Sequence, residues 1–301
     1  MRKTSKIVHL VYNSNAGDGE NQSKKELVSM IETFGYNCNN SSATKKSLKS
    51  IDPLTEFIIV AGGDGTIREV AMTLLKNKLK HNRPMALLPF GTANNIANSL
   101  GISRDSKTNI QSWGNAKPEK IDVGQIVGLS KKVYFLESFG FGLFSKLLRT
   151  LENRKEDPDQ SRKDEFSMAI KKLLQITEDY EGSPFKIETD DRVIEAEFIL
   201  IEVMNISCLG PNLNLSNKAD PQDGYMDVII VSVEQRPLLE RYLERRGHRK
   251  EIDFPIKPIQ TKKLTITGQG RNMHVDDELL DDEKDVRIQI SLLSNLLAII
   301  R

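Results

Sequence analysis

Apolar residues fall along this chain in two rhythms. Over roughly the first 125 positions, short continuous runs, IVHLVY (7–12), FIIVAGG (57–63) and PMALLPF (84–90), alternate with stretches of helical periodicity. NQSKKELVSMIETFG ends on Gly35, a predicted helix C-cap, and IREVAMTLLKNKL sets Ile67, Val70, Ala71, Leu74 and Leu75 on one side. Continuous apolar strands between helices predict an α/β domain whose doubly wound parallel sheet is covered on both faces. Past about Asp122 the texture changes to KKVYFLESFGFG, PFKIETDDRVIEAEFILIEVMN, GYMDVIIVSV, KKLTITG, MHVDDE and VRIQISL, which read as strands joined by Gly, Asp and Asn turns. Helical interludes are predicted only at roughly 143–178 and 236–248, so this part is mostly antiparallel β, with the boundary near 125.

Composition narrows the function classes. The chain of 301 residues can bury a large core without disulfides or metals, and 43 basic against 42 acidic residues leave a formal charge of +1. Nothing global draws it to nucleic acid or to an anionic membrane. Cys38 and Cys208 lack the paired spacing of a zinc or redox motif, which suits two free thiols in a cytoplasmic protein. The start MRKTSKIVHLVY is too short in apolar residues for a signal peptide, and LLSNLLAII (292–300) is too short to span a bilayer. Any contact with lipid is expected to be peripheral. The run NRKEDPDQSRKDE (153–165) is expected to be a solvated loop.

Three loops carry the chemistry. NSNAGDG, GGDGT and PFGTANN all follow strands and precede helices, so in a parallel sheet they share the carboxyl edge, where ligands bind. Helix N-termini preceded by glycine suit phosphate, and three such loops suggest a polyphosphate site. Neither a Walker pattern nor G-x-G-x-x-G is present at 62–66. Asp64 would repel a phosphate unless a divalent cation lies between them, which points to magnesium and a nucleoside triphosphate; its structural alternative is an N-cap for the following helix.

GGDGTIREV followed by LPFGTANNIANSLG resembles the diacylglycerol kinase catalytic superfamily, in particular the bacterial YegS/BmrU-type lipid kinases, with sphingosine, ceramide and NAD kinases as more distant relatives. The likeness extends through VYNSNAG, KIDVGQ, YFLESFGFG, ADPQDGYMDVIIV and HVDDE. It implies a phosphofructokinase-like nucleotide-binding domain over 1–125 to which the tail 291–301 returns, and a β-sandwich lipid-substrate domain over 126–290. It implies ATP and magnesium as cofactors. Gly62, Gly63, Asp64, Gly65 and Thr66 would hold the phosphates, Asn13, Gly91, Thr92 and Asn94 would complete the pocket, and Asp64, Asp122 and Asp223 would meet metal ions. Asp276 would be the base for the lipid hydroxyl, supported by Glu278. The chain departs from the family in having Asn95 where aspartate is usual and Asp277 where glycine is usual.

The resemblance therefore implies an ATP- and magnesium-dependent kinase of a diacylglycerol-like lipid, with kinases of soluble substrates of the NAD kinase kind and a non-catalytic nucleotide-binding protein as alternatives. Alternation in HVDDE is expected to put Asp276 and Glu278 on one strand face. The four histidines form no catalytic constellation. For membrane contact two amphipathic helices are candidates: GLFSKLLRTLENRK, with Phe144, Leu147, Leu148 and Leu151, and RPLLERYLERRGHRK, with Leu238, Leu239, Tyr242 and Leu243 among cationic residues. Their alternative is packing on the second domain. A homodimer is compatible with the sequence, and no nucleic-acid partner is expected.

Overall fold

The computed structural model describes residues 6–16, 22–42, 51–76, 83–152, 162–248 and 250–301. Residues 17–19 of the first loop, most of the charged run 153–165, His81 and Arg249 lie outside the described residues. The chain forms two compact units, 1–121 with 295–301, and 122–294. The division thus falls four residues before the boundary at 125, and Asp122 belongs to the second unit.

The first unit runs β1 (Lys6–Tyr12), α1 (Lys24–Thr33), β2 (Tyr36–Ser42), β3 (Phe57–Gly62), α2 (Asp64–Lys76), β4 (Met85–Pro89), α3 (Asn95–Ser99) and α4 (Ser106–Ser112), with β5 (Glu119–Val127) crossing into the second. Strands β2, β1, β3 and β4 pair in that order, all parallel. Phe57, Ile59 and Ala61 face a core shared with Leu27, Ile31 and Trp113, while Ile58 and Val60 point the other way and are equally buried. That is the two-sided burial the continuous apolar runs imply. The edge strand β2, YNCNNSS, escapes the hydrophobic pattern because only Tyr36 and Cys38 turn inward. Helix α1 has a Ser23–Glu26 capping box, and Gly35 follows it at φ 88°.

The second unit runs β6 (Val133–Phe135), β7 (Ser138–Gly142), α5 (Leu143–Glu152), α6 (Arg162–Asp179), β8 (Ser183–Thr189), β9 (Val193–Met204), β10 (Cys208–Leu209), β11 (Leu213–Asn214), β12 (Met226–Ser232), α7 (Arg236–Gly247), β13 (Ile259–Thr261), β14 (Lys263–Gly270), β15 (Met273–Val275), β16 (Glu278–Leu279) and β17 (Glu283–Ile300). Its pairings are antiparallel: β9 pairs with β8, β7 and β12, and β14 with β8 and β17. The result is a β-sandwich. One apolar layer joins Phe139, Phe141, Phe185, Ile201, Val203, Ile266 and Ile288; a second joins α5, α6 and α7 to the other side of β9 through Leu200, Met204, Leu173 and Tyr242. The predicted interlude 143–178 is two helices, and both amphipathic candidates pack most of their apolar residues on this layer. Phe144 and Leu147 of α5, and Leu239, Tyr242 and Leu243 of α7, are all buried. For these five residues the packing alternative holds, while Leu148, Leu151 and Leu238 are half-buried. Strand β17 then leaves the sandwich, and Ile299 and Ile300 pair in parallel with Met85 and Ala86 of the first unit's sheet.

Candidate active site

In the first unit three loops are tied together by backbone contact and by asparagine. The Asn13 N–H donates to the Ala61 carbonyl at 3.0 Å, its Nδ2 donates to Thr66 Oγ1 at 2.9 Å, and its Oδ1 accepts from the Asn15 N–H at 3.0 Å. Thr66, in the first turn of α2, is buried by this contact. A Cβ on Gly62 would lie 2.5 Å from Thr66 Oγ1, and one on Gly91 would lie 2.5 Å from the Cα of Gly63. Two glycines stand together at 62 and 63 because each faces a different neighbour too closely for a side chain. Asn94, buried at φ 55°, closes the third loop, accepting from the Gly91 N–H at 2.8 Å and donating to the Gly91 carbonyl at 2.6 Å. Gly65 and Thr92 are exposed, and Gly63 and Asp64 are half-exposed, so solvent reaches the head of α2.

Asp64 departs from one of its two sequence expectations, the N-cap of the helix that follows it. It is the first residue of α2, and its carboxylate accepts the N–H groups of Asn95 and Ile96, at 2.9 and 3.0 Å. It therefore caps α3 across the loops rather than the helix that follows it in sequence. Asn95, which stands where the family usually has aspartate, is buried with its N–H on this carboxylate.

In the second unit Asp122 is 1% exposed and anchors the 220–224 turn: its Oδ2 accepts from the Gly224 N–H at 3.0 Å, and its N–H donates to the Pro221 carbonyl at 2.7 Å. Asp223 accepts from the Tyr225 N–H at 2.8 Å. Burial pushes the Asp223 carboxyl above its usual range, the Tyr225 bond pulls it back, and the carboxylates of Asp220, Asp227 and Asp122 push it further up. Asp64, by contrast, belongs to the first unit, so the three metal candidates do not fall in one unit. Among the described residues no three His, Cys, Asp or Glu side chains are grouped to hold a metal ion.

Asp276 and Glu278 separate. Val275 pairs with Glu278, and His274 with Leu279, so Asp276 and Asp277 form a two-residue hairpin turn instead of continuing a strand. Asp276 is 3% exposed while Glu278 is exposed, which overturns the expectation of two carboxylates on one face. The left-handed backbone, φ 51°, is at Asp276 and not at Asp277. Its carboxylate Oδ1 accepts from the N–H groups of Leu136, Glu137 and Ser138 at 3.1, 2.8 and 3.2 Å, and its own N–H donates to the Ser138 carbonyl at 2.8 Å. Three backbone dipoles thus solvate a carboxylate taken out of water.

Sequence reasoning missed Glu202 and undervalued His274. Both are fully buried, with Nε2 of His274 2.9 Å from Glu202 Oε1. Burial alone would lower the His274 pKa; the Glu202 carboxylate and the bonds to Glu202 and Asp276 outweigh it and raise the value above 6.5. The signal for Glu202 was available: one acid inside FILIEVM, a run otherwise without a charge. A cavity of about 740 Å³ lined by Phe141, Phe198, Tyr180, Lys146, Lys172 and Arg271 also opens in this unit. It adjoins Gly142 and Asn272, at the opposite end of β7 from Ser138. Asp179 and Glu181 line it too, so it has no single sign of charge.

Residues 7–126 match the family profile of the diacylglycerol kinase catalytic domain, and 152–294 match that of the YegS C-terminal NAD kinase β-sandwich-like domain. The chain belongs to the diacylglycerol kinase catalytic-domain family, in the form that carries a YegS-type C-terminal domain. A protein of Staphylococcus aureus (strain MSSA476), provisionally named a lipid kinase, is 24% identical over 249 residues, covering 81% of this chain and 77% of its own. One of Staphylococcus haemolyticus (strain JCSC1435), provisionally named likewise, is 25% identical over 236 residues, 74% of this chain and 70% of its own. The crystal structure of a provisionally named diacylglycerol kinase from Bacillus anthracis (strain Sterne) shares the fold, with a TM-score of 0.75 at 21% identity over 99% of this chain and 96% of that one.

Proposed function

We propose that the protein transfers the γ-phosphoryl group of ATP to a hydroxyl of a diacylglycerol-like lipid. The observation that carries this reading is Asp276: a carboxylate 3% exposed, in a left-handed turn, gathered by three backbone N–H groups. An acidic hairpin with no task would leave that side chain in water, where it costs nothing.

In this reading the head of α2 takes the phosphates. Gly63 and Gly65 leave the backbone uncovered there, and the helix dipole favours an anion; Asn13, Gly62, Thr66, Gly91, Thr92 and Asn94 shape the surround. The half-exposed Asp64 carboxylate would hold magnesium, an ion that takes one or two carboxylates together with phosphate oxygens. Bound there, the ion would neutralise charge on the phosphates. The lipid hydroxyl oxygen bonds to the γ-phosphorus, the bond from that phosphorus to the bridging oxygen of ADP breaks, and the hydroxyl proton passes to Asp276.

Transfer of label from γ-labelled ATP into mixed lipid micelles tests the reading. Asp276→Asn is expected to lower the rate by at least about a hundredfold, the scale of losing a general base. Unchanged transfer in that variant would remove Asp276 as the base. Label in NAD with none in any lipid would replace the lipid acceptor by a soluble one. Lipid contact is proposed to be peripheral and electrostatic, through exposed cations such as Arg241 and Arg245 on α7. The expected result is sedimentation with anionic vesicles that added salt reverses, and equal binding to neutral vesicles would defeat it. Among the described residues no helix is long and apolar enough to cross a membrane.

A further inference from the structure

Strand register sets Glu202, Gly140 and His274 in one row. Gly140 of β7 stands opposite Glu202 of β9 and opposite His274 of β15. A Cβ on Gly140 would lie 2.2 Å from Glu202 Oε1, so the middle strand can carry no side chain here. Without one, the carboxylate reaches across β7 to His274 Nε2 at 2.9 Å. On the far side of the ring, Nδ1 lies 2.9 Å from the backbone carbonyl of Asp276. A carbonyl only accepts, so Nδ1 carries a proton and donates it. The Nε2–Oε1 contact then holds one further proton, on the ring or on Glu202.

This pair is poor glue. Both side chains are fully buried, and among the described residues Glu202 Oε2 has no hydrogen-bond partner. Such an arrangement is commonly matched or bettered by apolar residues of the same volume. What apolar residues could not do is bond the Asp276 carbonyl. With the Asp276 N–H on Ser138 and the carboxylate on residues 136–138, the His274 bond pins the remaining polar group of a residue whose backbone costs energy to hold.

We infer that Glu202 and His274 are positioning residues: Glu202 orients the imidazole through Nε2, and Nδ1–H locks the Asp276 peptide in the left-handed conformation that aims its carboxylate at the acceptor hydroxyl. The inference rests on the reading of Asp276 as the base, and deepens it.

The test separates the two ring nitrogens in the full-length chain. Asn places its amide nitrogen near Nδ1, and Gln places its own near Nε2. His274→Gln is expected to lower kcat by about a hundredfold with KM for ATP little changed, the scale of a displaced catalytic group, and His274→Asn to retain at least about tenfold more kcat than Gln. Equal losses in the two variants, or a loss confined to KM, would overturn the inference. Glu202→Gln keeps the volume and one acceptor, and serves if either histidine variant fails to fold; a kcat equal to wild type there would remove Glu202 from the chain. An arm independent of turnover is the ¹⁵N-histidine spectrum of the wild-type protein, in which the His274 Nδ1 proton should be slowly exchanging. An unprotonated Nδ1 would sink the inference even in an active kinase. An inactive wild type with a protected Nδ1 proton would instead sink the kinase reading and leave the bond to Asp276 standing.

Discussion

A methyl group on Gly91 would put its carbon 2.5 Å from the Cα of Gly63, whereas one on Gly63 would meet the Cα of Gly91 at 3.0 Å. The contact is backbone on backbone, so no side chain can swing aside. Gly91→Ala is therefore expected to cost about 1–3 kcal/mol, and Gly63→Ala less, measured by urea unfolding. That two glycines were needed was legible in GGDG; that the second faces another loop was not, because nothing in the sequence pairs position 63 with 91. His274 gives a second prediction at this scale. Its folded pKa lies above the unfolded value of 6.5, so the folded state holds the proton more tightly. The resulting stabilisation is complete below pH 6.5 and is lost as pH rises through the raised value. Urea midpoints of wild type should accordingly fall relative to His274→Asn from about pH 6.5 upward; parallel profiles would contradict the pairing with Glu202. Cys38 is buried and its thiol is pushed up to about 11, mainly by burial, whereas Cys208 is partly exposed. A thiol reagent at neutral pH should label Cys208 first, and a Cys208→Ser protein should react slowly until unfolded.

Among the elements, α3 is the informative one. It has only five residues, its N-cap Asn94 makes no side-chain capping bond, and Asp64 from the preceding helix accepts two of its N–H groups. Asp64→Ala should cost about 0.5–2 kcal/mol, the usual scale of a lost cap, while Asp64→Asn keeps one acceptor and loses less. Turnover divides the same pair differently. If the carboxylate also meets magnesium, Asn abolishes transfer as fully as Ala; transfer preserved in Asp64→Asn would leave Asp64 as a cap alone. The helices α5 and α7 show the limit of periodicity at this scale. An apolar stripe with cations opposite reads the same on a membrane surface and on a sandwich, and here β9 and β12 supply the partner, which the helix's own sequence does not contain.

At the scale of the whole molecule, the C-terminal strand does two jobs. The 18-residue β17 pairs with β14 in the second unit and ends beside β4 in the first. Leu297, Ile299 and Ile300 are at most 5% exposed, and Arg301 bonds the Leu100 carbonyl at 2.8 Å and pairs with Glu119. Burying three such side chains contributes on the order of 5–9 kcal/mol, comparable with the 5–15 kcal/mol stability of a typical domain. Truncation after Ser294 is expected to abolish the cooperative melting of the first unit, followed by calorimetry, while the sandwich transition persists. A full-sized first transition in the truncated chain would show the tail to be dispensable.

Alternation of continuous apolar runs with helical periodicity was enough to define an α/β unit followed by a mainly antiparallel one, since burial on one or both faces imposes those rhythms locally. The glycine loops at 62–66 and 91–95 were legible for a similar reason: backbone that must approach closely cannot carry side chains. Partners across strands and loops were decided by tertiary structure alone. Asp64 caps a helix 31 residues on, Asp276 sits in a turn held by residues 136–138, and Glu202 reaches His274 over Gly140. These contacts depend on register and on which chain segments meet, and neither is encoded in the spacing of any one stretch.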